Sequence, residues 1–338
     1  MKIGTNDVIL KIGSEDVAAV YLGTEMVYSG GSQPPTPSLG MAWQAYDENG
    51  DLLSSGDCSV LTDNVLTQDA VTDNWEITGD VATLVIGDCV EDLDENGFQS
   101  WTSLTAVTIG SGITSIGEYA FSYCDALTSI VIPNSVTSIG EGAFDGCSAL
   151  SNVNIPNSLT TLSGRAFADC AALESISIPN SVTTMGDEVF AGCSSLTSIT
   201  IGSGITEIPT ATFQNCSSLT SVTIPSSIMT INGNAFEGCG FESVAIPDNV
   251  INIGYESFKD CASLTAVTIG SGVTDIDYDV FNGCTGLTSI TINATTPPTL
   301  GTLIDEIPDG FTIYVPSAAV SDYQTEWEDY ASYITAIS

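Results

Sequence analysis

Eight of the ten cysteines in this 338-residue chain recur at a fixed spacing. Consecutive members lie 23 residues apart, apart from one step of 22, and each follows a phenylalanine by three residues. Regularly placed thiols could form disulfides, bind a metal or act as nucleophiles. The set comprises Cys124, Cys147, Cys170, Cys193, Cys216, Cys239, Cys261 and Cys284, which follow Phe121, Phe144, Phe167, Phe190, Phe213, Phe236, Phe258 and Phe281.

This spacing favours a structural role for the eight thiols. A zinc site needs four ligands that converge on one point, and one cysteine per repeat does not converge. Cysteines in adjacent repeats would lie about 5 Å apart, so disulfides are allowed, but pairing along an identical column would be arbitrary. We predict a ladder of small buried side chains, which fits folding in a reducing cytoplasm. Cys58 and Cys89 lie off this ladder and either pair with each other or stay free.

The other reactive residue types exclude several functions. The chain has no His, four Lys or Arg, and 42 Asp or Glu, for a formal charge of −38. A Ser-His-Asp or Cys-His nucleophile is therefore absent, and four scattered cations cannot bind nucleic acid or an anionic membrane surface. Acidic pairs occur throughout, so none stands out as a glycosidase pair. We predict no enzyme and no cofactor; an enzyme on a repeat scaffold is the disfavoured alternative.

One acidic run resembles the start of a calcium-binding loop. It places Asp275, Asp277 and Asp279 at alternate positions. Such a loop needs a glycine at its sixth position and an acidic residue at its twelfth, and these positions hold Val280 and Gly286. The run is a weak calcium candidate, and we predict no metal.

The cysteine spacing belongs to a longer repeat that must position these residues. Its unit, as in residues 127–149, reads L-T-S-I-x-I-P-x-S-V-T-x-I-G-x-x-A-F-x-x-C-x-x. A fixed period of this length is typical of solenoids. Two short extended segments point apolar side chains inward, Pro or Gly turns the chain, and A-F-x-x-C closes each coil as a helical or 3₁₀ turn. Successive rungs should stack about 4.8 Å apart with parallel pairing.

Across residues 81–297 this repeat resembles the BspA-type leucine-rich repeat of bacteria. The resemblance implies a β-rich solenoid: a right-handed coil with a parallel β-sheet, about nine 23-residue rungs, and caps at both ends. It also implies a role in adhesion or protein recognition rather than catalysis.

The N-terminal segments have a different character. Residues 1–31 repeat a short pattern, as in Lys2–Val8 and Tyr21–Tyr28, that resembles an N-terminal module of structural proteins from gut-bacterial phages and prophages. This resemblance implies attachment or oligomerisation. Residues 32–39 form a Gly/Ser/Pro linker. The first residues lack the apolar stretch and the cleavage site of a secretory signal, so the protein works where it is made, leaves by another route or has had its signal removed. We expect no membrane span.

Two further segments should cap the coil. Residues 40–80 are predicted to form β-hairpins, one of them through a type I′ turn at Asn49-Gly50. Residues 298–338 should contain a last strand and an amphipathic helix capped by Ser317. This C-terminal segment would cover the apolar core and the open strand edge of the last rung.

The outward positions of the predicted sheet form two columns rich in hydroxyl groups. The β-propensity of Thr is enough to explain its presence at such positions. The functional alternatives are that the threonines form a flat recognition surface for a protein or glycan, or an ice-binding array. The candidate ligand-binding residues are Thr105, Thr128, Thr197, Thr200, Thr220, Thr223, Thr265, Thr268, Thr288 and Thr291.

The sequence as a whole predicts a binding or structural protein. Our leading hypothesis is a fibre, spike or decoration protein of a phage or prophage virion, made in the bacterial cytoplasm. It would recognise a host-surface protein or glycan and contact virion proteins through residues 1–31, as a homo-oligomer such as a trimer. The alternative is a bacterial cell-surface or secreted adhesin whose export signal is missing.

Overall fold

The computed structural model describes residues 18–22, 25–29, 41–50, 52–57, 65–66 and 81–337. From residue 81 onward the chain winds into a parallel β-solenoid of about 11 turns with repeats of about 23 residues, which confirms the predicted fold class. The prediction of about nine rungs was too low. The last turns include Thr299–Leu300 and Thr312–Val315, which continue the parallel pairing without the Phe and Cys markers.

The strands are short because each spans one side of a coil. In chain order they are β1 (Ala18–Leu22), β2 (Glu25–Ser29), β3 (Met41–Tyr46), β4 (Leu52–Asp57), β5 (Val65–Leu66), β6 (Thr83–Ile86), β7 (Asp92–Leu93), β8 (Ala106–Thr108), β9 (Ser115–Ile116), β10 (Ser129–Val131), β11 (Ser138–Ile139), β12 (Asn152–Asn154), β13 (Thr161–Leu162), β14 (Ser175–Ser177), β15 (Thr184–Met185), β16 (Ser198–Thr200), β17 (Glu207–Ile208), β18 (Thr230–Ile231), β19 (Ser243–Ile246), β20 (Asn252–Ile253), β21 (Ala266–Ile269), β22 (Asp275–Ile276), β23 (Ser289–Ile292), β24 (Thr299–Leu300), β25 (Thr312–Val315) and β26 (Ile334–Ala336).

Each rung has three sides. The long-sheet face carries β6, β8, β10, β12, β14, β16, β19, β21, β23 and β25, and the short-strand face carries the two-residue strands between them. Strands pair in parallel with their copies one repeat away, so Ile130 lies between Val107 and Val153. The third side, the turn face, comprises the segments around each repeat phenylalanine, such as residues 117–124 and 140–147.

One continuous apolar core runs through the coil. The phenylalanines stack in a column from Phe98 to Phe281, with neighbouring ring centroids 5.1–5.8 Å apart. Since no rung could bury its inner face alone, this stacking is the source of the solenoid's stability.

The turn face differs from the prediction of a helical or 3₁₀ turn. Residues two before and two after each phenylalanine have positive φ, as at Tyr119 (52°) and Tyr123 (57°) around Phe121. Positive φ interrupts a helix. The backbone therefore alternates: the N–H groups of Tyr119, Phe121 and Tyr123 donate to carbonyls of the next rung, whereas those of Ala120 and Ser122 donate within their own rung.

One rung is a residue shorter than the others. The described residues 219–240 form no strand on the long-sheet face, although β18 keeps its pairing on the short-strand face. Phe241 then occupies the position that is Leu264 one rung later, and its ring packs edge-on against Phe236 at 5.6 Å.

A β-hairpin covers the first rung. β3 pairs antiparallel with both β4 and β6. The hairpin is confirmed, but its turn is not type I′: Gly50 donates to Asp47 and has φ +82°, whereas Asn49 does not have positive φ. β1 and β2 form a separate two-stranded antiparallel sheet. The predicted strand Lys2–Val8 and the linker 32–39 lie outside the described residues.

The C-terminal cap is a broken helix rather than a continuous one. A 3₁₀ turn at Ser317–Ala319 leads into helix α1 (Val320–Glu326) and a second 3₁₀ segment at Glu328–Tyr333, and Ser317 makes no side-chain cap. Tyr323 and Trp327 are buried and donate to the carbonyls of Ala294 and Pro298, both at 3.0 Å. The cap thereby covers the core of the last rung, as predicted.

Candidate binding face

The long-sheet face presents two outward columns in the expected register. The first column holds Thr105, Thr128, Ser151, Glu174, Thr197, Thr220, Glu242, Thr265 and Thr288. The second column holds Thr108, Val131, Asn154, Ser177, Thr200, Thr223, Ala245, Thr268 and Thr291. All ten threonines predicted as ligand-binding residues lie in these columns, and nine of them are exposed, Thr291 being partly buried.

The hydroxyls of the first column are mostly used within the protein. Five of its six threonines donate to the backbone carbonyl of the counterpart residue one rung earlier, as Thr197 does to Glu174 at 3.1 Å. The same bond recurs at Thr105, Thr128, Thr265 and Thr288, at 2.8–3.2 Å. These hydrogen bonds link successive rungs. The β-propensity of Thr does not predict this role.

The hydroxyls of the second column remain available. Thr200, Thr223, Thr268 and Thr291 make no side-chain hydrogen bond to any residue that the structure describes, and Thr220 of the first column behaves likewise. Where the strands pair in parallel, the copies are in register and the column repeats its side chains about every 4.8 Å. This arrangement can donate and accept hydrogen bonds along an extended ligand.

Charge is distributed unevenly around the coil. The two outward columns hold two charged residues, Glu174 and Glu242, in a chain of net charge −38. Ion pairs lie instead on the turn face, where Arg165 contacts Asp145 at 3.1 Å and Asp169 at 3.4 Å and also pairs with Glu188. Burial raises the pKa of Asp145, and the hydrogen bond from Arg165 opposes that shift.

The eight ladder cysteines are buried, free thiols. Each S–H donates to the carbonyl of the phenylalanine in the preceding rung, at Sγ–O distances of 3.1–3.3 Å. Burial raises the pKa of Cys124 and of Cys216 to about 12. Such thiols are poor nucleophiles and poor metal ligands. Cys89 differs, since it is disulfide-bonded, whereas Cys58 lies outside the described residues.

The calcium candidate is not assembled as a site. Asp275 lies in β22, and Asp277 accepts the N–H of Tyr278 at 2.8 Å, which is a turn-capping bond. Within the described ranges no three His, Cys, Asp or Glu residues are grouped so that they could hold a metal ion. Nor does that part of the chain contain a helix of the length and apolarity required to span a bilayer.

The sequence did not identify two tyrosines on the turn face, the exposed Tyr123 and the partly buried Tyr119. Tyr119 and Tyr123 project from one rung, and the equivalent positions of the next rung are Gly142 and Gly146. The sequence shows an aromatic residue followed by a glycine 23 residues later. Only the stacking of the rungs shows that the ring and the glycine are in contact.

Two solved structures are similar to this chain, and the first of them supports the fold. A leucine-rich repeat protein from Bacteroides ovatus superposes with a TM-score of 0.53 at 23% identity, over 76% of this chain and 77% of that chain. A leucine-rich cell surface protein from Faecalibacterium prausnitzii gives a TM-score of 0.44 at 25% identity, over 76% and 78%. No curated protein matches the sequence.

The family model for the "BspA type Leucine rich repeat region" matches six copies, over residues 77–197 and 183–299. These ranges cover most of the chain and coincide with the solenoid. LRR solenoids of this kind are generally non-catalytic, which is consistent with a binding or structural role. The chain therefore belongs to the BspA-type leucine-rich repeat family.

Proposed function

We propose that this chain is a non-enzymatic binding protein whose long-sheet face recognises a host-surface protein or glycan. The observation that carries the proposal is the second column, in which the hydroxyls of the exposed Thr200, Thr223 and Thr268 have no partner among the described residues. A hydroxyl without an internal partner can bind a ligand without first losing an intramolecular hydrogen bond, since it exchanges only its bond to water. The scarcity of charge on this face also limits the repulsion that a −38 protein exerts on acidic cell surfaces.

Paired charge substitutions on two faces test this proposal. Thr200→Asp with Thr223→Asp places two carboxylates on the long-sheet face, and Thr206→Asp with Thr274→Asp adds the same charge to exposed positions of the short-strand face. Binding is measured on a glycan array and on purified envelopes of gut bacteria. We expect the first variant to lose binding and the second to retain it. Equal retention, or equal loss, contradicts the assignment of the face.

For the biological setting we propose a virion fibre, spike or decoration protein attached through residues 1–31. The resemblance of that segment to phage and prophage modules supports the proposal. A two-stranded sheet such as β1–β2 is marginally stable alone, so association with further copies or with virion proteins would stabilise it. Native mass spectrometry should show a homo-oligomer that becomes monomeric when residues 1–31 are deleted. A monomer unaffected by that deletion counts against the virion.

The second candidate is a bacterial cell-surface or secreted adhesin of the same repeat family. The disulfide at Cys89 favours work outside a reducing cytoplasm, which suits this location as well as a released virion. Neighbouring genes separate the two: portal, capsid or tail genes indicate a virion, whereas an anchoring or secretion cassette indicates the cell surface.

A further inference from the structure

Two tyrosines of the turn face pack against the next rung. Tyr119 and Tyr123 both have positive φ, which points their side chains outward on either side of the buried Phe121. Their backbone N–H groups donate to the carbonyls of Glu141 and Asp145 at 2.8 and 2.7 Å. The two rings are thus held above the one rung on this face that has glycine at both equivalent positions.

Those glycines provide the space that the rings occupy. A Cβ added at Gly146 would lie 2.5 Å from Cδ1 of Tyr123, and one at Gly142 would overlap the ring of Tyr119 in the same way. Each ring therefore occupies the space that a side chain at the facing glycine would fill, yet the Tyr123 residue remains 49% exposed. An aromatic ring fixed before binding loses little conformational entropy when a ligand packs on it.

Hydrogen-bonding and charged groups lie beside the ring of Tyr119. The hydroxyl of Tyr119 donates to Oε1 of Glu141 at 2.9 Å, which leaves Oε2 of that carboxylate as an acceptor. This hydrogen bond, burial and the nearby charges of Glu141, Glu118 and Asp145 raise the pKa of Tyr119. On the far side of the glycines, Arg165 is already paired with three carboxylates, so the surroundings are negative overall.

These features select a class of ligand. Sugar rings present C–H groups that pack on aromatic faces and hydroxyls that donate to carboxylates. An acidic sugar would be repelled by Glu118 and Glu141. A protein partner generally needs about 800 Å² on each side with an apolar centre, and two tyrosine rings bordered by carboxylates do not provide it. We propose that Tyr119, Tyr123 and Glu141 bind a neutral saccharide on the turn face, at a site separate from the long-sheet face.

Calorimetric titration of the full chain with cellohexaose, mannohexaose and N-acetylchitohexaose tests the site. We expect saturable binding of at least one of these neutral probes. Tyr123→Ala should weaken it about tenfold or more, whereas Tyr123→Phe, which keeps the ring, should stay within about threefold of the wild type. Because Tyr123 is half exposed, both variants should keep the wild-type melting temperature, and circular dichroism checks this.

The matched control is Tyr255→Ala. Tyr255 is 47% exposed and occupies the Cβ space of Gly233, but it lies on a distant rung. Saccharide binding should be unchanged in this variant and in the long-sheet pair Thr200→Asp with Thr223→Asp. The proposal is overturned if none of the three saccharides binds, if Tyr123→Ala binds as the wild type does, or if Tyr255→Ala is equally impaired. Loss of binding to a deglycosylated envelope protein in Tyr123→Ala, without any saccharide binding, would instead assign the site to a protein partner.

Discussion

At the scale of single residues, the ladder cysteines combine burial with a hydrogen bond to the backbone. Each S–H is directed at a phenylalanine carbonyl, and the pKa of Cys124 and of Cys216 rises to about 12 because burial disfavours the thiolate. At pH 8 a thiol with such a pKa is ionised to about 1 part in 10⁴, and alkylating reagents require the thiolate. The same property explains how free thiols can persist in a chain whose Cys89 is oxidised.

We therefore predict that iodoacetamide at pH 8 modifies none of the eight ladder cysteines in the folded protein. After denaturation without reductant, at least eight cysteines should become modified, and peptide mass spectrometry identifies them. Modification of a ladder cysteine in the folded state, under conditions where the circular dichroism spectrum is unchanged, would show that the core opens. Disulfides among the eight would disprove the buried-thiol assignment.

Backbone strain on the turn face gives a second prediction. Ala211 has φ +52°, a conformation that costs an L-residue about 1–2 kcal/mol and glycine almost nothing. After the entropy that glycine loses on folding, Ala211→Gly should stabilise the protein by about 0.5–1 kcal/mol in urea unfolding. The control is Ala235→Gly: this alanine precedes Phe236 and does not have positive φ, so the variant should destabilise. A destabilising Ala211→Gly would contradict the alternating turn geometry.

At the scale of elements, the short rung shows how packing adjusts to a lost residue. The missing residue lies between Cys239 and Phe241, and Phe241 fills the position that leucine occupies in the neighbouring rungs. Phe241→Leu should leave a cavity and cost about 1–2 kcal/mol. The reciprocal change, Leu264→Phe, should overpack a regular rung and cost about 1–3 kcal/mol. Urea unfolding measures both, and a neutral Phe241→Leu would show that the larger ring fills no extra space.

The strands and the turns differ in how much of their structure the sequence predicts. Inward strand positions were predictable because Leu127, Ile130 and Ile132 repeat with a fixed period and each must be buried. The turn geometry was predictable only in part. The position two after each repeat phenylalanine is mostly Gly, Asn or Asp, which favour positive φ, whereas the position two before holds residues as different as Tyr119 and Arg165. Nor could the sequence separate the two threonine columns: Thr197 braces the backbone and Thr200 does not, and only the rung-to-rung geometry distinguishes them.

At the scale of the whole molecule, the solenoid stacks like charges in register. Equivalent side chains lie about 4.8 Å apart, so Glu118 and Glu141 are neighbours from adjacent rungs. Within the described residues, Arg165 and Lys259 are the basic side chains that form ion pairs. Most of the net charge of −38 is therefore uncompensated, and mutual repulsion of the carboxylates opposes the compact state.

Salt should therefore stabilise this protein. The Debye length falls from about 30 Å at 0.01 M to about 3 Å at 1 M, that is, from several rungs to less than one. Added salt screens the repulsion between carboxylates and also weakens the few ion pairs. Because the repulsion is the larger effect, salt should raise the melting temperature by about 5 °C or more. Tetramethylammonium chloride should act like sodium chloride if ionic strength is the cause. The variant Glu118→Gln with Glu141→Gln, which removes two stacked charges, should melt higher at low salt and respond less to added salt. A melting temperature that stays flat or falls as salt is added would mean that the carboxylates are neutralised by protonation or bound cations rather than repelling one another along the coil.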